Sequence, residues 1–269
     1  LGQISAIGSA QVTQSTFTNE GGDNLWSNAI NWSDGIPNVQ SAKVILNESI
    51  ILDMDVAIAQ IKMAAGFGAL SITGKNDAIL KISGFGVNQP IQNNAGNQEF
   101  LIDLPVVMES NDSIAEIIFP TVAGGIITFG SNSSLLLNSE ITINANKNAQ
   151  KSFNFNGILS GSGNFQLDAG TVVNFGSTSD NSAFTGNFVL VKNNGALVSN
   201  IIDNGVFLPS GSAIFSEGSG GGITVNGINT FNGNIILSKN DVVLNINANQ
   251  SSMGVISIID SIETNDSNL

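Results

Sequence analysis

The sequence predicts an all-β fold: a right-handed parallel β-helix, or β-solenoid, with an N-terminal cap. Three observations carry this expectation. Apolar residues fall in short runs of Val, Ile, Leu and Phe, and no window keeps helical periodicity over three turns. The runs are separated by short stretches rich in Gly, Asn, Ser and Asp, which is the chemistry of tight turns. Certain phrases recur at uneven spacing, as degenerate stacked coils do.

Taken in chain order, residues 1–10 read as the remnant of a secretory signal peptide. They are mildly apolar and end in Gly8-Ser9-Ala10 before Gln11, a small-residue cleavage pattern. That leads to the expectation of a secreted protein. Residues 11–40 are polar and loop-rich and hold both tryptophans, Trp26 and Trp32. They are expected to cap the solenoid, with Phe17 and Leu25 joining the plug, because an open first coil exposes core and unpaired strand edge together.

Residues 41–262 are expected to form the solenoid. Strand candidates include Lys43–Leu46, Ile58–Met63, Ala69–Thr73, Ile79–Ile82, Ile126–Phe129, Leu135–Leu137, Thr171–Phe175, Phe188–Val191 and Asp241–Ile246. Phe155-Asn156-Gly157, Phe184-Thr185-Gly186 and Phe231-Asn232-Gly233 each precede a new apolar run. Asn-Gly is also a strong hairpin signal, which makes an antiparallel sandwich the competing fold. The pairs at 226–227 and 232–233 lie too close together for two hairpins, and the corners of a coil accommodate them better. Residues 263–269 read as a polar tail or the start of a further region.

Composition limits the chemistry. Of 269 residues, 42% are hydrophobic, enough for a core, and only 11% are charged, with 30 Gly and 37 Asn filling the difference. There is no Cys, His, Tyr or Arg. Disulfides, thiolate metal sites and His-based triads therefore need residue types the sequence lacks. A net charge of −13 disfavours nucleic acid and anionic membrane surfaces as partners. No apolar run reaches the roughly 20 residues of a spanning helix.

Two stretches resemble a known family. Phe184-Thr185-Gly186-Asn187-Phe188-Val189-Leu190 through Gly195-Ala196-Leu197-Val198 is similar to the autotransporter-associated β-strand repeat of bacterial surface proteins, preceded by a matching Gly157-Ile158-Leu159-Ser160-Gly161-Ser162-Gly163 phrase. Leu25-Trp26 through Asn31-Trp32-Ser33-Asp34-Gly35-Ile36-Pro37 resembles the opening of similar secreted proteins. The resemblance implies a β-helical adhesin or stalk at the cell surface.

A β-helix can also be a polysaccharide lyase or hydrolase. Such enzymes use paired carboxylates or a carboxylate with a basic residue. The sequence has no Asp-Asp pair and only scattered lysines, so the expectation is no enzyme, with a carbohydrate-active β-helix enzyme and an extracellular filament subunit as alternatives. No cofactor is expected apart from calcium, for which Asp23, Asp53 and Asp55 are the oxygen-ligand candidates. Asp53-Met54-Asp55 would set two carboxylates on one face of a strand. Trp26 and Trp32, if exposed, would be candidates for stacking on a glycan. Glycans, neighbouring cell surfaces and end-to-end self-association are the partners to consider.

Overall fold

The computed structural model describes residues 13–203, except 85–86, 88, 110–114, 119–124, 139–140, 145–150, 168–170 and 191–199. Beyond 203 it describes the strands at 213–216, 222–225, 234–237, 243–246 and 256–258. Residues 1–10, expected to be a signal-peptide remnant, and the expected tail 263–269 lie outside these residues.

The first coil shows the plan. Strand β1 (Gln14–Phe17) pairs in parallel with β2 (Lys43–Leu46); β3 (Ile50–Leu52) and β4 (Val56–Ile58) then turn two corners before Gln60–Met63 lies back on β2. Repeating this circuit builds three parallel sheets, one per face, of eleven, nine and six described strands. Every strand pairing is parallel, and the fold is a parallel β-helix. The coils are unequal. The first-face register advances 17 residues from Lys43 to Gln60 but 30 from Ile61 to Ile91, and corner loops absorb the difference.

Alternation within each strand fixes what enters the core. Inward side chains stack on the same position of the next coil. The second face carries Ile50, Ile72, Ile102, Phe129, Phe155 and Phe175, all buried. The third carries Ile58, Ile82, Met108 and Leu137. Four phenylalanines form a connected stack: Phe129 lies 5.3 Å from Phe155 and 5.4 Å from Phe153, and Phe155 lies 6.0 Å from Phe175. Each such ring contributes about 1.5–3 kcal/mol by leaving water.

Several expected strands have the predicted limits, Lys43–Leu46, Ile126–Phe129 and Thr171–Phe175 among them. The run Ile58–Met63 is different. It divides at Ala59 into the end of β4 and the next first-face strand, because the amides of Ala59 and Gln60 both turn to the Ala42 carbonyl. The Phe-x-Gly phrases are not equivalent either: Phe155 closes a second-face strand and Phe184 a third-face strand. Phe231 lies outside the described residues.

Candidate functional site

The N-terminal cap is the most elaborated polar and aromatic cluster among the described residues. Trp26 is fully buried and Trp32 is 5% exposed. Their rings meet edge-on at 4.8 Å, and Phe17 meets Trp32 at 5.1 Å. Each indole N–H is satisfied inside the cap: Trp26 Nε1 donates to the Pro37 carbonyl at 3.2 Å and Trp32 Nε1 to the Trp26 carbonyl at 2.8 Å. A sugar needs an open ring face, and neither ring offers one. The glycan-contact reading of Trp26 and Trp32 is therefore corrected: they are the plug over the first coil.

The loop around the plug is ordered by amide side chains. Asn28 caps the short 3-10 turn Ala29–Asn31, its Oδ1 accepting from the Ile30 amide. Asn31 is fully buried with every polar atom engaged. Its Oδ1 accepts from Gly21 N at 2.8 Å, and its Nδ2 donates to Asp23 Oδ1 at 2.6 Å and to the Leu25 carbonyl at 2.9 Å. Gly21 is obligatory in this arrangement, since a Cβ there would press on Asn28 and Asn31 at about 2.5 Å.

The three aspartates do not converge. Asp23 accepts from the Leu25 amide, Asn28 Nδ2 and Asn31 Nδ2, and these donors hold its carboxyl below the usual aspartate range. Asp53 accepts from the amide and hydroxyl of Ser27, at 3.0 and 2.6 Å. Asp55 accepts from the Ile79 amide of the following coil at 2.9 Å. The expectation of paired carboxylates on one strand face is corrected: residues 53–55 form the corner between β3 and β4. There Met54 packs on the core while the two flanking carboxylates tie that corner to the layers below and above. Both oxygens of Asp53 and Oδ1 of Asp55 accept from protein donors, and among the described residues no three acidic groups gather as a metal set would.

A second ordered feature runs up the corner between the second and third faces. Successive coils place Asp103, Gly130, Asn156 and Gly176 one above another. A Cβ on Gly130 would collide with the Asp103 carboxylate, and one on Gly176 with the Asn156 side chain. The glycine coils turn by Gly-Ser-x-Ser: Ser133 N and Oγ both donate to the Gly130 carbonyl, as Ser179 N and Oγ do to that of Gly176. The third residue of each turn grips the coil below. Asn132 donates from N and Nδ2 to Asp103, and Thr178 Oγ1 donates to the Asn156 carbonyl. The repeat at this corner is thus two coils long.

On the outer surface of the second face, Asn174 Nδ2 donates to Asn154 Oδ1 at 2.9 Å, and Asn154 Nδ2 donates to Thr128 Oγ1 at 3.3 Å. Thr128 in turn donates to Glu99. This is a side-chain ladder parallel to the coil axis.

No protein-family profile, curated protein or solved structure matches the chain. The class that fold and site together define is a capped parallel β-solenoid.

Proposed function

We propose that this chain is the body of a secreted, cell-surface structural or adhesive protein, a β-helical stalk that carries or forms a binding surface. The observation that carries the reading is an uninterrupted parallel stack, eleven strands deep on its first face, whose N-terminal end is closed by a satisfied aromatic plug. Such a stack is a rigid spacer that lengthens by about 4.8 Å per coil. The polar groups characterised in it serve cohesion: the three aspartates hold loops and coils together, and the asparagine ladder bonds along the axis. An acidic, lysine-poor surface suits a hydrated rod that avoids nucleic acid and anionic lipid.

The test is functional and direct. The full chain, incubated with neutral and acidic polysaccharides, is expected to release no reducing ends and no unsaturated products, while labelled chain is retained on glycan or cell surfaces. Depolymerisation of any of these polymers would replace the stalk with the carbohydrate-active enzyme.

A further inference from the structure

A parallel β-helix ends in exposed strand edges, and an uncovered edge is a template for a strand of another chain. At the N-terminal end each of the three faces is closed by a different device. On the first face, β1 meets residues 31–33. Thr16 N donates to Ser33 Oγ at 3.0 Å, Ser33 N donates to the Thr16 carbonyl at 3.0 Å, and Thr18 N donates to the Asn31 carbonyl at 2.8 Å. On the second face, Ile51 of β3 exchanges both backbone bonds with the loop before the plug: Trp26 N donates to the Ile51 carbonyl and Ile51 N to the Asn24 carbonyl, at 2.9 and 2.8 Å. On the third face β4 is the edge strand, and no strand pairs with that edge among the described residues. One side chain takes the place of a strand: Asn38 Oδ1 accepts from Ala57 N at 2.9 Å, and Asn38 Nδ2 donates to the Asp55 carbonyl at 3.3 Å. An asparagine amide carries the donor and acceptor of a peptide group, so Asn38 acts as a one-residue strand.

From this we infer that residues 24–38 are a strand-edge seal directed against a second copy of this chain, and that end-to-end growth does not pass through the N-terminal end. The inference does not depend on the stalk reading. A filament built by stacking coil on coil needs both ends open, because its contact is head to tail and does not close on itself. With the N-terminal edges occupied, coil-on-coil polymerisation of this chain is blocked, and any association of copies uses other surfaces.

The experiment exploits the absence of cysteine from the sequence and the exposure of Ile30, 65%, on the cap. Ile30→Cys carrying a spin label is prepared in the full chain, alone and with Ser33→Ala plus Asn38→Ala, which frees Thr16 N, Ala57 N and the Asp55 carbonyl. The sealed protein is expected to show no concentration-dependent dipolar coupling between caps and no cap-dependent rise in mass. The opened variant is expected to pair cap to cap through its freed edges, with dipolar coupling and mass that rise with concentration; this pairing does not involve the other end of the chain. Asn38→Asp, which keeps the acceptor for Ala57 N, is expected to stay close to the sealed protein. Buried tryptophan emission reports that the plug is intact in each variant. Where the double variant loses that emission, Asn38→Ala alone is read in its place. Association of the sealed protein through its labelled caps, or opened variants that keep their plug and remain as monomeric as the parent, would overturn the inference. Neither result bears on polysaccharide cleavage, so the two readings fail separately.

Discussion

Asp23 sits at the surface yet organises the cap, because three donors converge on its carboxylate. Those donors favour the charged form, so its pKa is lower folded than unfolded. The sign follows from linkage. Its contribution to stability is complete above the unfolded pKa of about 4 and is lost as pH falls through the lowered folded value. Tryptophan emission of the cap is therefore expected to be flat from neutral pH down to about 5 and to lose cap stability below about 4. In Asp23→Asn that acid-dependent loss should shrink. An unchanged acid profile in the variant would remove Asp23 from the account. Glycine offers a second residue-level contrast. Gly130→Ala is expected to cost about 1–3 kcal/mol in urea unfolding, because the new methyl displaces Asp103 and its two bonds to Asn132. Gly68→Ala meets nothing within 4 Å and should stay within about 0.5 kcal/mol. Equal costs at the two positions would mean that the corner column is not what constrains Gly130.

At the scale of elements, the phenylalanine stack joins successive coils of the second face through buried rings. Phe129→Ala removes a ring that touches both Phe153 and Phe155, and about 3–5 kcal/mol of destabilisation is expected from chemical denaturation. Phe67, 40% exposed on a loop, is the control and should cost less than about 0.5 kcal/mol. Strand positions were legible in the sequence, since an apolar run bounded by turn residues has the same appearance whichever face it joins. The face was not legible. Ile58–Met63 reads as one run because nothing in its apolar pattern marks Ala59 as a corner, and only the three-dimensional circuit separates it. The plug was legible from two tryptophans in a loop-rich segment. Its polar frame was not: Asn31 and Asn38 are two among 37 asparagines, and their roles come from carbonyls and amides distant in sequence. The Asn-Trp-Ser phrase was the available signal for Asn31. Asp53 and Asp55 had the opposite problem, because their spacing suggested one face of a strand while the structure puts them at a corner, each with a protein donor.

At the scale of the whole molecule, unequal coils among the described residues keep register on the three faces because corner loops take up almost all of the variation; the exception is a bulge on the third face, where Ile158 pairs with Asp180 but Ser160 with Ala183. The second-to-third corner shows how this is managed, with a short corner at Asp103 or Asn156 and a longer Gly-Ser-x-Ser turn alternating from coil to coil. A far-ultraviolet circular dichroism spectrum dominated by β-structure is expected, as is a scattering profile of an elongated body. A globular profile would contradict a continuous stack. The coil lengths have a further consequence if the chain is tethered at one end and pulled at the other. The bonds between layers lie along the axis, so a load meets them one layer at a time. A layer that peels away trades a rise of about 4.8 Å for 17 to 30 residues of free chain. That chain is roughly 60–100 Å long when drawn out. Peeling is expected to begin wherever a layer lacks a covering, and the plugged end should be the last to give. A tether made this way yields by lengthening in steps and keeps hold of both its ends.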